Sequence, residues 1–222
     1  MMHSGILLLA DIFQEYIFLA GLHTNSQSKG APLVALPWYF KAGLTKQCFV
    51  MRIRAMQETP QEYTQRMLNH SRGKEPLRLQ QATPRKLTAL TKGLSKKQLT
   101  RRPGPGKWSI AEILAHLADA ELVVGYRLRL MLASNGTAIQ AFDQDAWAET
   151  FSYNRRDPKT SLETFRTLRQ NNLRLLTSVP RRLWENYGQH SERGKETVDH
   201  VMRMMAGHDL NHLQQLEKIA KG

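Results

Sequence analysis

Two histidines near the C-terminus, His208 and His212, are spaced for chemistry. They lie four residues apart in a segment whose apolar residues recur at intervals of three and four, and both fall on the same helical stripe. A buried imidazole without a partner is costly, so this pair needs either hydrogen-bond acceptors or a metal ion. Because side chains at i and i+4 lie one helical turn apart, both rings could reach one ion. The spacing favours a metal site, with two acceptor-capped core histidines as the structural alternative.

His116 is the candidate for a third ligand. It lies within another amphipathic segment, with Ile113 three residues before it and Ala120 four after it, on or beside the apolar face. A lone histidine there is usually structural, so the prediction depends on the combination of all three. Three neutral imidazoles would leave a tetrahedral ion one open position, as catalytic zinc sites require.

Composition limits the alternatives. The 222 residues are 41% hydrophobic, enough for one domain with a core plus an extension. The single cysteine, Cys48, excludes an intramolecular disulfide and a cysteine-rich zinc module, so metal ligands must be His, Asp or Glu. The formal charge of +13 attracts anions, but the arginine doublets at 101–102, 155–156 and 181–182 are scattered and lack interleaved aromatic residues. We therefore interpret them as solvated surface and do not expect nucleic acid as a partner.

Residues 1–55 differ from the rest of the chain. Their apolar runs are interrupted by polar residues and lack the basic start of a secretory signal or the length of a membrane span. Strong helix-start signals begin only at Thr59-Pro60, so we predict a disordered extension over 1–55 and a folded domain over 56–222. Met51 and Met56 suggest that the extension is an over-extended gene start. We expect a cytoplasmic protein without membrane contact.

The folded region is predicted to be all-α. A short helix at about 60–70 precedes four long amphipathic segments at about 77–92, 109–133, 158–180 and 195–220. Ser109 and Glu112 form a capping-box pattern, and Asp157-Pro158 is typical of a helix start. The first long helix has a second start signal at Thr83-Pro84. Nothing alternates at period two, so no strand is expected.

The connections are less defined. Residues 137–157 predict a long loop, either a pocket lid or a cover over one end of a bundle, and residues 181–194 a short helix and turn. Four such helices favour a four-helix bundle with its site built from facing helices.

Two motifs also carry a family resemblance. The segment from Gly106-Lys107-Trp108-Ser109 through His116 to Glu121, and the segment 207–213 (GHDLNHL), resemble the two motifs of the DinB/YfiT-like superfamily. The resemblance implies an up-down-down-up four-helix bundle, often dimeric, in which His116, His208 and His212 hold a divalent metal such as zinc or nickel. Superfamily members include metal-dependent transferases and isomerases that use low-molecular-weight thiols.

Three functions follow as hypotheses. The leading one is S-transfer, in which the site activates a thiol, or a water, to attack a small electrophile. Arg127, Arg129 or Arg169 could hold an anionic thiol cofactor, but each is better explained as a solvated or snorkelling side chain. A metal-dependent hydrolase is the alternative, since the histidines have the H-E-x-x-H spacing with Asp209 at the general-base position. The aspartate side chain is one methylene shorter than glutamate, which favours a supporting role for Asp209 over that of general base. A non-enzymatic basic bundle that binds a partner is the third, and a homodimer stays an open option.

Overall fold

The computed structural model describes residues 58–221. The predicted N-terminal extension, residues 1–55, and the hypothesis of an over-extended gene start lie outside the described residues.

The described part of the chain is mainly helical. Its helices are α1 (Pro60–Ser71), α2 (Pro76–Thr91), α3 (Lys96–Thr100), α4 (Ile110–Ala133), α5 (Gln144–Thr150), α6 (Pro158–Ser178) and α7 (Val198–Lys221). Two 3₁₀ turns span Tyr153–Arg155 and Arg181–Glu185, and the strands are β1 (Thr137–Ile139), β2 (Tyr187–His190) and β3 (Gly194–Thr197). The four long helices α2, α4, α6 and α7 form the bundle, and α1 packs against α7.

Two of the long helices begin at the caps that the sequence predicts. The Ser109 hydroxyl accepts from the Glu112 N–H at 3.3 Å, and the Glu112 carboxylate accepts from the Ser109 N–H at 2.8 Å. Asp157 accepts from the Thr160 N–H at 2.8 Å at the start of α6. Each pair satisfies N–H groups that have no partner within the helix.

The predicted second start at Thr83-Pro84 is wrong, because α2 runs through Pro84 without a break. Glu75 caps the helix instead, accepting from two backbone N–H groups of its first turn. Pro84 has no N–H to donate to the carbonyl of Gln80, four residues earlier. That carbonyl accepts from Arg169 of α6 at 3.1 Å, so a side chain of another helix fills the gap.

Helices α4 and α6 run in the same direction. Arg169 bonds Glu121 at 2.9 Å, and Asn172, one turn further along α6, accepts from Arg129, two turns further along α4, at 2.8 Å. Parallel neighbours need a connection that returns along the full length of a helix. Since α4 has 24 residues, that length is about 36 Å, which explains the long segment between the two helices.

Helix α7 runs opposite to α4. His208 contacts His116 near the start of α4, whereas Val201, earlier in α7, shares a core cluster with Val124, later in α4.

Helix α2 runs parallel to α7. Gln80 donates to the carbonyl of Met202 at 2.8 Å, and the later residue Leu87 shares a second core cluster with Leu213. The order is therefore up-down-down-up, as the family resemblance implies.

The expectation of no strand is wrong. The three strands form a sheet in the order β1-β2-β3, with β1 parallel and β3 antiparallel to β2. They have three or four residues each, too short to show a period-two pattern in the sequence. The segments 137–157 and 181–194 therefore contain defined elements as well as loop.

Helix α1 approaches α7 closely at Gly207. A Cβ atom placed on Gly207 would lie 1.7 Å from the carbonyl oxygen of Met67 in α1, which no side chain can tolerate. Glycine is therefore required at the position directly before His208. None of the helices in residues 58–221 combines the length and the apolar composition of a membrane-spanning segment.

Candidate metal centre

The three candidate histidines converge between α4 and α7. The Nε2 atom of His208 lies 3.0 Å from that of His116 and 3.1 Å from that of His212. One ring nitrogen from each histidine lies within 4.8 Å of the others, and all three side chains are buried. Nitrogen ligands 2.0–2.1 Å from a tetrahedral ion are separated by about 3.3 Å, so the observed spacing is close to that of a coordinated set.

The environment keeps the rings neutral. Burial lowers the pKa of His116 and His208 well below the usual value, and the neighbouring histidines lower both further. Burial lowers the pKa of His212 to about 4, partly opposed by its hydrogen bond to Gln215. Neutral imidazole is the form that binds metal.

Hydrogen bonding orients His212 as a ligand. Its Nδ1 lies 2.9 Å from the side-chain oxygen of Gln215, which can only accept, so Nδ1 carries the proton and Nε2 has its lone pair free. Three neutral rings cannot satisfy both short N···N contacts, because His208 Nε2 would have to serve two neighbours with one lone pair or one proton. The Nδ1 atoms of His116 and His208 have no partner among residues 58–221, so they do not relieve the conflict. A cation that accepts all three lone pairs removes it, and these residues therefore fit a divalent metal.

A buried ionic cluster lies directly behind His208. Arg169 is 1% exposed and donates to both Asp209, next to His208, and Glu121. Burial alone would lower the pKa of Arg169, but the charges of Asp209 and Glu121 outweigh it and raise that pKa. Asn172 donates to the other Glu121 oxygen at 2.8 Å. The cluster links α2, α4, α6 and α7 around the segment that carries His208.

Aromatic residues cover the His116 side. The rings of Trp108 and His116 are 5.0 Å apart, and Tyr153 meets Trp108 edge-on at 6.4 Å. The Tyr153 hydroxyl donates to Asp119 at 2.7 Å, and Arg156 bonds the same carboxylate at 3.0 Å. Burial and this hydrogen bond raise the pKa of Tyr153 above its usual value. The segment between α4 and α6 is thus fixed against the site by a buried tyrosine.

The general-base hypothesis for Asp209 is not supported by this geometry. Its carboxylate is fully buried and engaged by Arg169 through both oxygens, one of them at 3.0 Å. Consecutive helical residues point about 100° apart, so Asp209 faces the ionic cluster while His208 faces the other two histidines. These contacts agree with the supporting role that the sequence predicts for Asp209.

The arginines suggested as anion holders have partners within the protein. Arg169 is occupied by two carboxylates, Arg129 donates to Gly125 and Asn172, and Arg127 donates to the carbonyl of Gln140. Arg127 and Arg169 are buried, so interpreting either as a solvated side chain is wrong.

One arginine of each surface doublet also binds a carboxylate. These pairs are Arg102 with Glu112, Arg156 with Asp119, and Arg181 with Asp199. Intramolecular pairing reduces what each doublet offers to phosphate groups.

Sequence reasoning missed three contributors to the site. Gln215 follows His212 by one turn, a spacing that could have indicated a hydrogen-bond partner. Tyr153 and Arg169 gave no usable signal, because the carboxylates they bind are 34 to 48 residues away in the sequence.

An open groove in the described part of the chain lies away from the three histidines. It has a volume of about 630 Å³ between α2 and α6, and its lining includes Arg85, Glu163 and Arg166 but none of the three histidines. It is open and mainly polar, so the convergence of buried nitrogen ligands is the stronger indication of a reactive site.

Comparison with known proteins finds a matching family profile and several related proteins. The profile of the DinB superfamily matches residues 79–216, which include all three histidines. A candidate metal-dependent hydrolase of Oceanobacillus iheyensis is 26% identical over 138 residues, covering 62% of this chain and 80% of that protein. A candidate metal-dependent hydrolase of Bacillus subtilis, YfiT, is 24% identical over 140 residues, covering 62% and 78%.

The fold also resembles a solved structure. YfiT from Bacillus subtilis, described as a probable metal-dependent hydrolase with an unusual four-helix bundle topology, superposes with a TM-score of 0.62 at 21% identity. The match covers 66% of this chain and 84% of YfiT.

Proposed function

Because the chain belongs to the DinB superfamily, we propose that it is a metal-dependent hydrolase whose divalent ion is held by His116, His208 and His212. The observation that carries the proposal is the convergence of three neutral, buried Nε2 atoms with N···N distances of 3.0 and 3.1 Å. The names of the related proteins support hydrolysis as the reaction class.

The protein's own residues have separate roles in this proposal. Gln215 holds the His212 ring with its Nε2 lone pair toward the other histidines. Arg169, Glu121 and Asp209 fix the part of α7 that carries His208. Trp108 packs on His116 and limits water on that side.

A divalent ion held by His116, His208 and His212 would supply Lewis-acid chemistry, because it would lower the pKa of a water or thiol and so provide a nucleophile at neutral pH. The proposal therefore needs no protein carboxylate as general base, which agrees with the engagement of Asp209 by Arg169. The substrate is a small molecule with a hydrolysable bond. Zinc and nickel both accept imidazole ligands, so the donor set leaves the choice of ion to availability.

Thiol S-transfer stays a prediction. No contact among the described residues favours a thiol over water, and the three arginines considered for an anionic thiol have internal partners. A homodimer and a cytoplasmic location likewise stay predictions.

Turnover by metal-loaded protein tests the proposal. The full-length protein, stripped by chelation and reloaded with zinc or nickel, is assayed on a panel of esters and amides with and without glutathione or cysteine. We expect metal-dependent hydrolysis without thiol, lost in His116→Ala and retained in His70→Ala, which changes a histidine of α1 outside the site. Turnover that requires the thiol and yields an S-conjugate would replace hydrolysis with transfer.

A further inference from the structure

A second group of buried polar side chains lies where the sheet meets α4. Alternation along β2 places Gly188 and His190 on the buried face, and a Cβ on Gly188 would contact Met131 of α4. Arg127, one turn before Met131, donates to the carbonyl of Gln140 directly after β1. The last residue of β1 pairs with His190. The side chains of Arg127 and His190 therefore lie at the same end of the sheet.

Two buried donors at this position have no acceptor. The His190 Nδ1 atom accepts from the backbone N–H groups of Glu192 at 3.2 Å and Arg193 at 3.4 Å, so the ring proton must lie on Nε2. Neither this Nε2–H nor the Nε–H of Arg127 has a partner in the described region. Arg127 is 7% exposed and His190 2%, so water does not replace the missing acceptors freely. Buried donors without acceptors are costly and rare, which indicates that something fills this position.

The charge balance identifies the kind of group. Arg127 forms no ion pair with a carboxylate in residues 58–221, whereas Arg193 takes both oxygens of Glu196, at 2.6 and 2.9 Å. Glu196 also faces His200 at 3.9 Å, and the exposed Glu192 is the other nearby carboxylate. The one buried carboxylate nearby in residues 58–221 is therefore bound by Arg193, and the Arg127 guanidinium is left without a carboxylate partner there. Burial and the charge of Arg193 lower the pKa of Arg127 to about 10, so it keeps its proton and its positive charge at neutral pH.

We propose that Arg127 and His190 together bind the carboxylate group of a small organic acid. Two buried N–H donors without acceptors, one of them on a cation, match the two oxygens of a carboxylate. Phe142 covers the guanidinium at 5.7 Å, which limits competing water. Arg127 follows His116 by 11 residues, about 16 Å along α4, so this site is separate from the candidate metal centre and does not depend on the proposed hydrolase function.

The test uses full-length protein and formate as the probe. Thermal unfolding is followed with increasing sodium formate, with sodium chloride at equal ionic strength as the reference. We expect a saturable rise of the midpoint with formate alone. Formate should also shift the His190 Nε2–H proton resonance in the wild-type protein, a measurement that requires no variant.

Arg127→Met removes the cation, and Arg174→Met, which changes an exposed arginine of α6, is the matched control. We expect formate affinity to fall at least tenfold in Arg127→Met and to be unchanged in Arg174→Met. Without formate, Arg127→Met should unfold at the wild-type midpoint or above it, because it no longer buries an unpaired charge.

Several outcomes would overturn the proposal. Equal responses to formate and chloride would mean that water alone satisfies the two donors. Wild-type formate affinity in Arg127→Met would place any binding elsewhere. Failure of Arg127→Met to fold would make Arg127 a structural residue.

Discussion

The substitution Gly207→Ala, at the contact between α1 and α7, has two opposing effects on the free energy of unfolding. In a free helix, alanine is favoured over glycine by about 1 kcal/mol. Here the new methyl group would lie 1.7 Å from the Met67 carbonyl oxygen, so α1 must move away by about 2 Å to reach an ordinary contact distance. The steric effect should decide the sign, because the atom in the way belongs to a backbone and cannot rotate aside.

The size of the loss follows from what α1 contributes. Met67 is fully buried, and burial of such a side chain contributes about 2–3 kcal/mol. The Ser71 hydroxyl donates to the carbonyl of Arg203 at 2.9 Å, a bond that contributes about 1 kcal/mol. Losing both and gaining helix propensity leaves a net destabilisation of about 2–3 kcal/mol.

Urea unfolding of Gly207→Ala measures this difference, and Gly104→Ala is the matched control. A Cβ on Gly104 meets nothing within 4 Å, so its free energy of unfolding should change by less than about 0.5 kcal/mol. A Gly207→Ala protein as stable as the wild type, or more stable, would refute the close approach of α1 and α7.

Three further predictions concern the site and its supports. In metal-free protein the pKa of His212 is lowered to about 4, so the unfolded chain binds more protons and stability must fall as pH decreases through 6.5 toward 4. His212 alone should account for about 2 kcal/mol of the unfolding free energy lost between pH 7 and pH 5. Denaturant unfolding of the wild-type and His212→Gln proteins at both pH values measures this loss, and an equal loss in the two proteins would contradict the assignment. Ser109→Ala should cost about 1 kcal/mol of unfolding free energy through the lost cap, and an unchanged urea midpoint would contradict this. Asp209→Ala should cost about 3 kcal/mol by leaving Arg169 a single carboxylate, and a fully stable variant that loses only turnover would return Asp209 to the general-base role.

The helices were predictable because their signals are local. The capping box of Ser109 and Glu112 spans four residues, and the period of α7 alone aligned His208 with His212. The up-down-down-up order came from the family resemblance, because no local pattern states which helices run parallel.

The missed features depend on distant contacts. Strands of three or four residues show no period, and the pairing of β1 with β2 joins segments about 50 residues apart. Arg169 resembled a snorkelling arginine because its partners lie on three other helices. Pro84 resembled a helix start because only the folded chain provides a donor for the carbonyl of Gln80.

Metal content tests the central claim most directly. Full-length protein, supplied with zinc or nickel and dialysed against a weak chelator, is analysed by elemental mass spectrometry beside the double variant His208→Ala/His212→Ala and the control His70→Ala. We predict about one ion per chain in the wild type and the control and none in the double variant, as a three-histidine site requires. An ion retained equally in the double variant, or no ion bound by the wild type, would contradict the assignment of these histidines as a metal centre.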